Sequence, residues 1–349
     1  FLDANNTQID LIGEGIKTGK KQIVIVPEKR VTSQEKRIME RLNLRATFDV
    51  KVMTLSSLVG QILPSQNDME ILSKLGAVML VEMLISQHRA ELVCFDKTLL
   101  TVAFADSVYA AIMQLKTCGI SPQILREKLH QIESLPLRKK MQDILVIYEA
   151  YERVKEGKFY DSCDRLNLAS QTILAGGELG QDYHFCGIES MTDIEFGVLS
   201  ALIQKSNSVS IGVMAAEDGQ PNADLIKSDV LNKIKSFCKS QNLVPNVIRA
   251  KSECADFTGH ILRNVLAVTP QKMSISNGEV EIYEAGNPRL EVEFVALDIL
   301  QCVRGGARYR DFAINCANME VYEPIIRNVF GRAGIPVWID APTALSATE

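Results

Sequence analysis

The sequence predicts an α/β protein built on a parallel sheet and interrupted by an all-helical insertion. Three observations carry that reading. Residues 183–215, YHFCGIESMTDIEFGVLSALIQKSNSVSIGVMA, run strand, loop, helix, strand. The helix between the two apolar segments repeats Ile194, Val198, Leu199, Leu202 and Ile203 at helical spacing. Such a βαβ unit joins parallel strands whose faces are covered by helices. The first sixty residues show the same alternation, in the order βαβα. From Pro64 to Lys155, by contrast, no strand pattern interrupts the helical periodicity.

Taken in order, residues 1–17 have helical spacing, and Gly19-Lys20-Lys21 turns the chain into an apolar strand over 22–26 that Pro27 ends. A charged helix is expected over 32–42 and a second strand over 50–55. A short helix to residue 63 follows, with Ser56 and Ser57 as its caps. Four helices are expected next, over 68–85, 97–118, 121–132 and 136–155. Leu100, Phe104, Val108, Ile112 and Leu115 mark the second, and Met141, Ile144, Leu145, Tyr148 and Tyr151 the fourth. Asp161 fits an N-cap with Asp164 three residues on, opening a helix to residue 174. The sheet resumes with strands over 183–187 and 208–215, and helices are expected over 225–240 and 253–266. The tail reads as strand 279–284, helix 289–303, strand 312–316, helix 321–333 and strand 335–339. That series stops at Glu349 without completing a domain, so the chain is expected to be part of a longer one. The expected organisation is an α/β domain in two parts, 1–65 and 159–278, a helical insertion at 66–158, and a linker with the start of a further domain at 279–349.

A chain of 349 residues exceeds one ordinary core, and two or three domains are expected. Hydrophobic residues at 46% and charged residues at 23% are values of a soluble globular protein. No apolar run reaches the roughly 18 residues of a membrane span, and no signal peptide is visible at Phe1. The formal net charge of −5 does not favour nucleic acid, although a local basic groove would vanish in such a sum. Cys94, Cys118, Cys163, Cys186, Cys238, Cys254, Cys302 and Cys316 form no Cys-x-x-Cys pair and read as reduced thiols of a cytoplasmic protein.

Ligands of an open parallel sheet gather beyond the carboxyl ends of its strands. One such edge is the loop 187–193. In P-loop NTPases this loop carries the acid that holds magnesium. Here Cys186 and Gly187 stand at that position, and Glu189 and Asp193 lie further along. Glu189 is a candidate metal-facing acid; the plainer reading is that Thr192 or Asp193 caps the following helix. His184 and Cys186 alternate along a strand and share a face, which allows an enzyme site with Glu189. Simple packing competes with that reading, and no nucleophile elbow accompanies the pair. Lys29, Arg30, Thr32, Ser56 and Ser57 follow two strand ends near helix starts, where positive charge and N–H groups favour phosphates. Solvated loop charges and a helix cap are the alternative.

Several stretches in fixed order resemble one family. They are Ile25-Val26-Pro27-Glu28, Thr54-Leu55-Ser56-Ser57-Leu58, Cys118-Gly119-Ile120-Ser121-Pro122, and DILVIYEAY from Asp143 followed by Gly157-Lys158-Phe159-Tyr160-Asp161. NPRLEVEFVALDI from Asn287, Tyr309-Arg310-Asp311-Phe312-Ala313 and Gly334-Ile335-Pro336 complete the set. Together they resemble the N-terminal helicase-like region of AddB (RexB), the B subunit of bacterial AddAB-type helicase–nucleases. The resemblance covers nearly the whole chain. It implies a P-loop NTPase-like, superfamily 1 helicase-like fold, with the helical insertion as domain 1B and the tail as the start of domain 2A. It further implies a heterodimer with an A-type motor subunit, action on single-stranded DNA or duplex ends in double-strand break repair, and no membrane. ATP with magnesium and an iron–sulfur cluster are implied for the parent protein, and no cofactor for these residues.

The chain departs from that family in places. No G-x-x-x-x-G-K-[ST] occurs, and the position roughly 25 residues before Val26-Pro27-Glu28, where a P-loop belongs, falls at or before Phe1. Ser57 stands where an arginine is common and Gly60 where an aromatic occurs. The expectation is a DNA-handling scaffold that is inactive by itself. An interaction module holding a motor partner, or an independent enzyme using Cys186 and His184, are the alternatives.

Overall fold

The computed structural model describes residues 2–63, 70–95, 101–213, 229–248, 259–261, 264, 269–273 and 280–340. Helix α1 (Leu2–Lys17) leads into β1 (Gln22–Ile25), and a 3-10 turn (Glu28–Arg30) runs into α2 (Val31–Arg41). Next come β2 (Val50–Met53), α3 (Leu55–Ile62), β3 (Glu70–Ile71), α4 (Lys74–Gln87), α5 (Val102–Thr117), α6 (Pro122–Lys128) and α7 (Leu135–Lys155). The chain then forms β4 (Phe159–Tyr160), α8 (Ser162–Ala175), β5 (Leu179–Phe185), α9 (Asp193–Lys205), β6 (Ser206–Ile211) and α10 (Asp229–Ser240). These elements belong to one compact unit, Phe1–Lys272.

Its sheet has the order β2-β1-β5-β6, parallel throughout, with Val24 opposite both Val52 and His184. All four residues of β1 are buried because successive side chains leave opposite faces and both faces are covered. Val24 and Val26 pack with Ile9 and Ile12 of α1, Ile38 of α2 and Cys186. Ile23 and Ile25 turn the other way, joining Tyr183, Phe185, Leu58, Ile173, Val198, Leu199, Leu202 and Val230 from β5, α3, α8, α9 and α10. Each fully buried aliphatic or aromatic side chain contributes roughly 1.5–3 kcal/mol, so these two layers dominate the stability of the sheet.

The helices α4, α5 and α7 share a separate core of Ala77, Val81, Leu84, Ala105, Val108, Ile112, Ile147 and Tyr151. Asp143 of α7 is fully buried, and its carboxylate accepts the N–H groups of Val93, Cys94 and Phe95 at 2.7–2.9 Å, pinning the connection after α4. The expectation of no strand in this region is corrected. Glu70–Ile71 pairs in parallel with Phe159–Tyr160 at the point where the helical segment leaves and returns. Two residues per strand, both exposed in β3, fall below any alternation that a sequence window can register. Helix α4 starts at Lys74 rather than at 68, because Ser73 Oγ accepts the Gly76 N–H and sets the cap.

Met273–Glu349 is a second compact unit, holding α11 (Pro288–Arg304) and α12 (Met319–Ala333). The strands expected at 279–284, 312–316 and 335–339 are not formed at residues 280–284, 312–316 and 335–339; Glu279 lies outside the described residues. A strand needs a lateral partner for its N–H and C=O groups. Here Phe312, Cys316, Ile335 and Ile339 pack instead on Val292, Ala296, Ile326 and Phe330 of the helix pair. The expected helix at 253–266, the end of the strand to 215 and the start of the helix at 225 lie largely outside the described residues.

Candidate functional site

The chain leaves β1 towards β2 on one side and leaves β5 towards β6 on the other, although β1 and β5 are neighbours. Such a reversal opens a crevice beyond the carboxyl ends of the two central strands, the usual ligand position in an open α/β sheet. The loops that border it are 26–30 and 186–193.

On the β1 side, Val26 donates its N–H to Met53 O at 3.0 Å, and Pro27 then ends the ladder. Arg30 N–H bonds Pro27 O at 2.9 Å to close the 3-10 turn. Neither this turn nor α2 has a side-chain cap, and no acid lies in the first turn of α2. Positive charge from Lys29 and Arg30 therefore adds to the positive end of a helix dipole. Lys29, Arg30 and Thr32 are all exposed.

On the β5 side, Cys186 N–H bonds Ile25 O at 2.9 Å, after which Gly187 turns left-handed with φ +69°. A Cβ on Gly187 would stand 2.7 Å from Arg30 Nη1, so the bare glycine makes room for the arginine. Arg30 Nη2 lies 3.6 Å from Glu189 Oε1. The arginine thus bridges the crevice. Helix α9 is closed by a capping box in which Thr192 Oγ1 accepts the Glu195 N–H and the Glu195 carboxylate accepts the Thr192 N–H at 2.8 Å. Thr192 is the cap; Asp193 instead accepts from Lys233 of α10 at 2.6 Å.

On the β2 side the expected caps are corrected. Thr54, with extended φ −85° and ψ 162°, accepts the Ser57 N–H at 3.1 Å and is the N-cap of α3. Ser56 and Ser57 lie inside the first turn, where the backbone is already helical, so neither occupies the cap position. Both remain exposed at the carboxyl edge. Their helix packs on the sheet face opposite α2, so Thr32 and the two serines approach the edge from opposite sides.

The position of the magnesium-holding acid does not fit a metal-bound nucleotide. Cys186 is buried among Ile9, Val24, Val26 and Ile38, and burial pushes its thiol up to about 12. Gly187 offers no side chain, and Glu189 is turned to Arg30. His184 and Cys186, the pair of the enzyme reading, are both committed to the interior of the sheet. His184 is buried and both ring nitrogens are engaged, Nδ1 with Ser210 Oγ at 2.7 Å and Nε2 with Gln22 Oε1 at 2.8 Å. Gln22 in turn donates to Asp182 at 3.0 Å. Burial lowers the imidazole to about 4, with Asp182 opposing, so it is neutral, and Cys186 stays a thiol.

A charged cluster that sequence reasoning did not assemble lies where α5, α7 and α8 meet. Lys116 Nζ is 2.7 Å from carboxylate oxygens of Glu152, Asp161 and Asp164. Lys155 pairs with Asp161 and, at 2.6 Å, with Asp164, and its ammonium lies 4.6 Å from the Tyr151 ring centre. Asp161 also caps α8, accepting from Cys163 and Asp164 N–H at 3.0 Å. The expected Asp161–Asp164 capping box is therefore present. The three carboxylates are close enough to share a metal ion. The Lys116 ammonium already serves them all, and the cluster reads as a structural tie. Among the described residues no cysteine belongs to a group of three metal-ligating side chains, and no helix is long and apolar enough to cross a membrane.

Comparison with known proteins adds a family. The model described as "ADDB, N-terminal" matches residues 7–253. Similar curated relatives are named as the B subunit of an ATP-dependent helicase/deoxyribonuclease. One from Oceanobacillus iheyensis is 24% identical over 90% of this chain and 29% of its own length. One from Listeria innocua is 26% identical over 97% of this chain and 30% of its own. One from Clostridium tetani is 25% identical over 92% and 30%. The chain spans about three-tenths of the length of these relatives.

Proposed function

The chain belongs to the ADDB N-terminal family, and from that premise we propose that it is a DNA-handling scaffold within a helicase–nuclease subunit. The observation that carries this reading is the β1/β5 crevice, where Arg30 crosses to Gly187 beside Lys29 and a helix start without a side-chain cap. Phosphate oxygens accept from such N–H groups and from arginine in bidentate fashion. Under this reading the parallel sheet is P-loop NTPase-like and superfamily 1 helicase-like. Residues 1–65 and 159–278 form its α/β domain, 66–158 the insertion and 279–349 the opening of the next domain. The partners are single-stranded DNA or a duplex end and an A-type motor subunit, in cytoplasmic double-strand break repair. Under this reading ATP with magnesium and an iron–sulfur cluster belong to the parent protein.

A second reading is compatible with the first. Helix α4 is apolar nearly all round, yet Leu75, Met79 and Met83 are exposed at i, i+4 and i+8. A helix of that composition is ordinarily covered on every side, which supports the insertion as a surface for a protein partner.

Equilibrium titration of single-stranded DNA at several salt concentrations tests the first reading. Each phosphate contact contributes about −0.7 to the slope of log affinity against log salt. Lys29→Ala with Arg30→Ala is expected to weaken binding for every sequence and to flatten the slope by up to about 1.4, two contacts at that value. An unchanged affinity and slope moves the DNA path off this edge.

A further inference from the structure

We propose that Glu189 is a built-in competitor for the phosphate site, holding Arg30 across Gly187 until a DNA phosphate displaces it. The inference rests on the DNA-handling reading and adds a residue to it. Two separate observations place Arg30. Gly187 has φ +69° and no side chain, and a Cβ there would meet Arg30 Nη1 at 2.7 Å. Glu189, two residues on, brings a carboxylate oxygen to 3.6 Å from Arg30 Nη2. The loop therefore supplies both a seat and a counter-charge for an arginine that comes from the turn after the neighbouring strand.

The strength of this contact suits an exchangeable restraint. The two side chains are 50% and 66% exposed, and 3.6 Å is beyond good hydrogen-bond length. A pair of this kind is worth little in water and is screened by salt. A phosphate that approaches the same guanidinium can form two short charge-assisted hydrogen bonds and replace the carboxylate. On the same loop, Asp193 pairs with Lys233, and Glu195 closes the cap of α9. Glu189 is thus a positioning residue. It keeps the guanidinium over the crevice and taxes each binding event by the cost of releasing it.

The test is a double-mutant cycle on the full chain, read by titration of a single-stranded thymidine oligonucleotide at several salt concentrations. Glu189→Gln is expected to tighten binding about two- to fivefold, the range of an exposed ion pair. In an Arg30→Ala background the same substitution is expected to have no effect. Equal tightening in both backgrounds would show a general charge effect and overturn the competition. Weaker binding by Glu189→Gln alone would also overturn it. If Lys29→Ala with Arg30→Ala weakens binding while Glu189→Gln leaves it unchanged, the DNA reading stands and this inference fails. If neither variant changes binding, the DNA reading itself fails.

Discussion

His184 and Asp161 are both buried, and they keep opposite charge states at neutral pH. Burial holds the imidazole neutral by lowering it to about 4. Burial would raise the Asp161 carboxyl, but the Lys116 and Lys155 ammonium groups outweigh it and bring it to about 2. Both shifts act in the same direction on stability. Between about pH 6.5 and 4 the unfolded imidazole takes a proton that the folded one refuses, so stability falls with pH, by on the order of 3 kcal/mol. Asp161 has a folded pKa below its unfolded one. Its contribution is present above about 4 and is lost as pH falls through about 2, by on the order of 2 kcal/mol. Urea denaturation over a pH series should therefore show two acid limbs, with no change from these two groups above pH 7. His184→Gln should remove the first limb and leave the second; a first limb of undiminished size would place its origin elsewhere.

Among the elements, helix starts separate local from distant causes. Thr192 with Glu195 and Asp161 with Asp164 close capping boxes whose partners are three residues apart, so the signature lies within one turn. The start of α3 is different. Thr54, Ser56 and Ser57 are all able cap residues, and the choice falls on Thr54 because β2 ends at Met53, whose carbonyl is held by Val26 N–H. Thr54→Ala should cost about 1 kcal/mol, and Ser56→Ala no more than about 0.5 kcal/mol. Chemical denaturation of the two variants checks this. Equal losses would return the cap to the serines.

For the whole molecule, a net charge of −5 coexists with a crevice where Lys29 and Arg30 sit on a helix start, so the sum says little about the edge. The same edge bears on catalysis. The buried Cys186 and the bare Gly187 provide no magnesium ligand, and the sequence has no P-loop motif. The chain with single-stranded DNA is therefore expected to release no phosphate from ATP above background. DNA-stimulated release that vanishes in Glu189→Gln would restore a catalytic acid to this loop.

Helical and strand periodicities state which face of an element is apolar, and neighbours within a turn decide its caps. The parallel sheet, the apolar β1, the helices of residues 74–155, the capping box at Asp161 and a cap at Thr192 or Asp193 were accordingly legible in the sequence, as was the ordered set of family landmarks, whereas the choice of Thr192 came from the structure. Periodicity does not say which element lies opposite. The order β2-β1-β5-β6 alone brings Arg30 to Gly187 and Glu189, and sets His184 between Gln22 and Ser210. The packing of α5 and α7 on α8 alone gathers Lys116 and Lys155 around three carboxylates. Apolar runs in the tail promised strands and instead pack on α11 and α12, because a strand exists only where a second one accepts its hydrogen bonds, and that partner is a property of the fold.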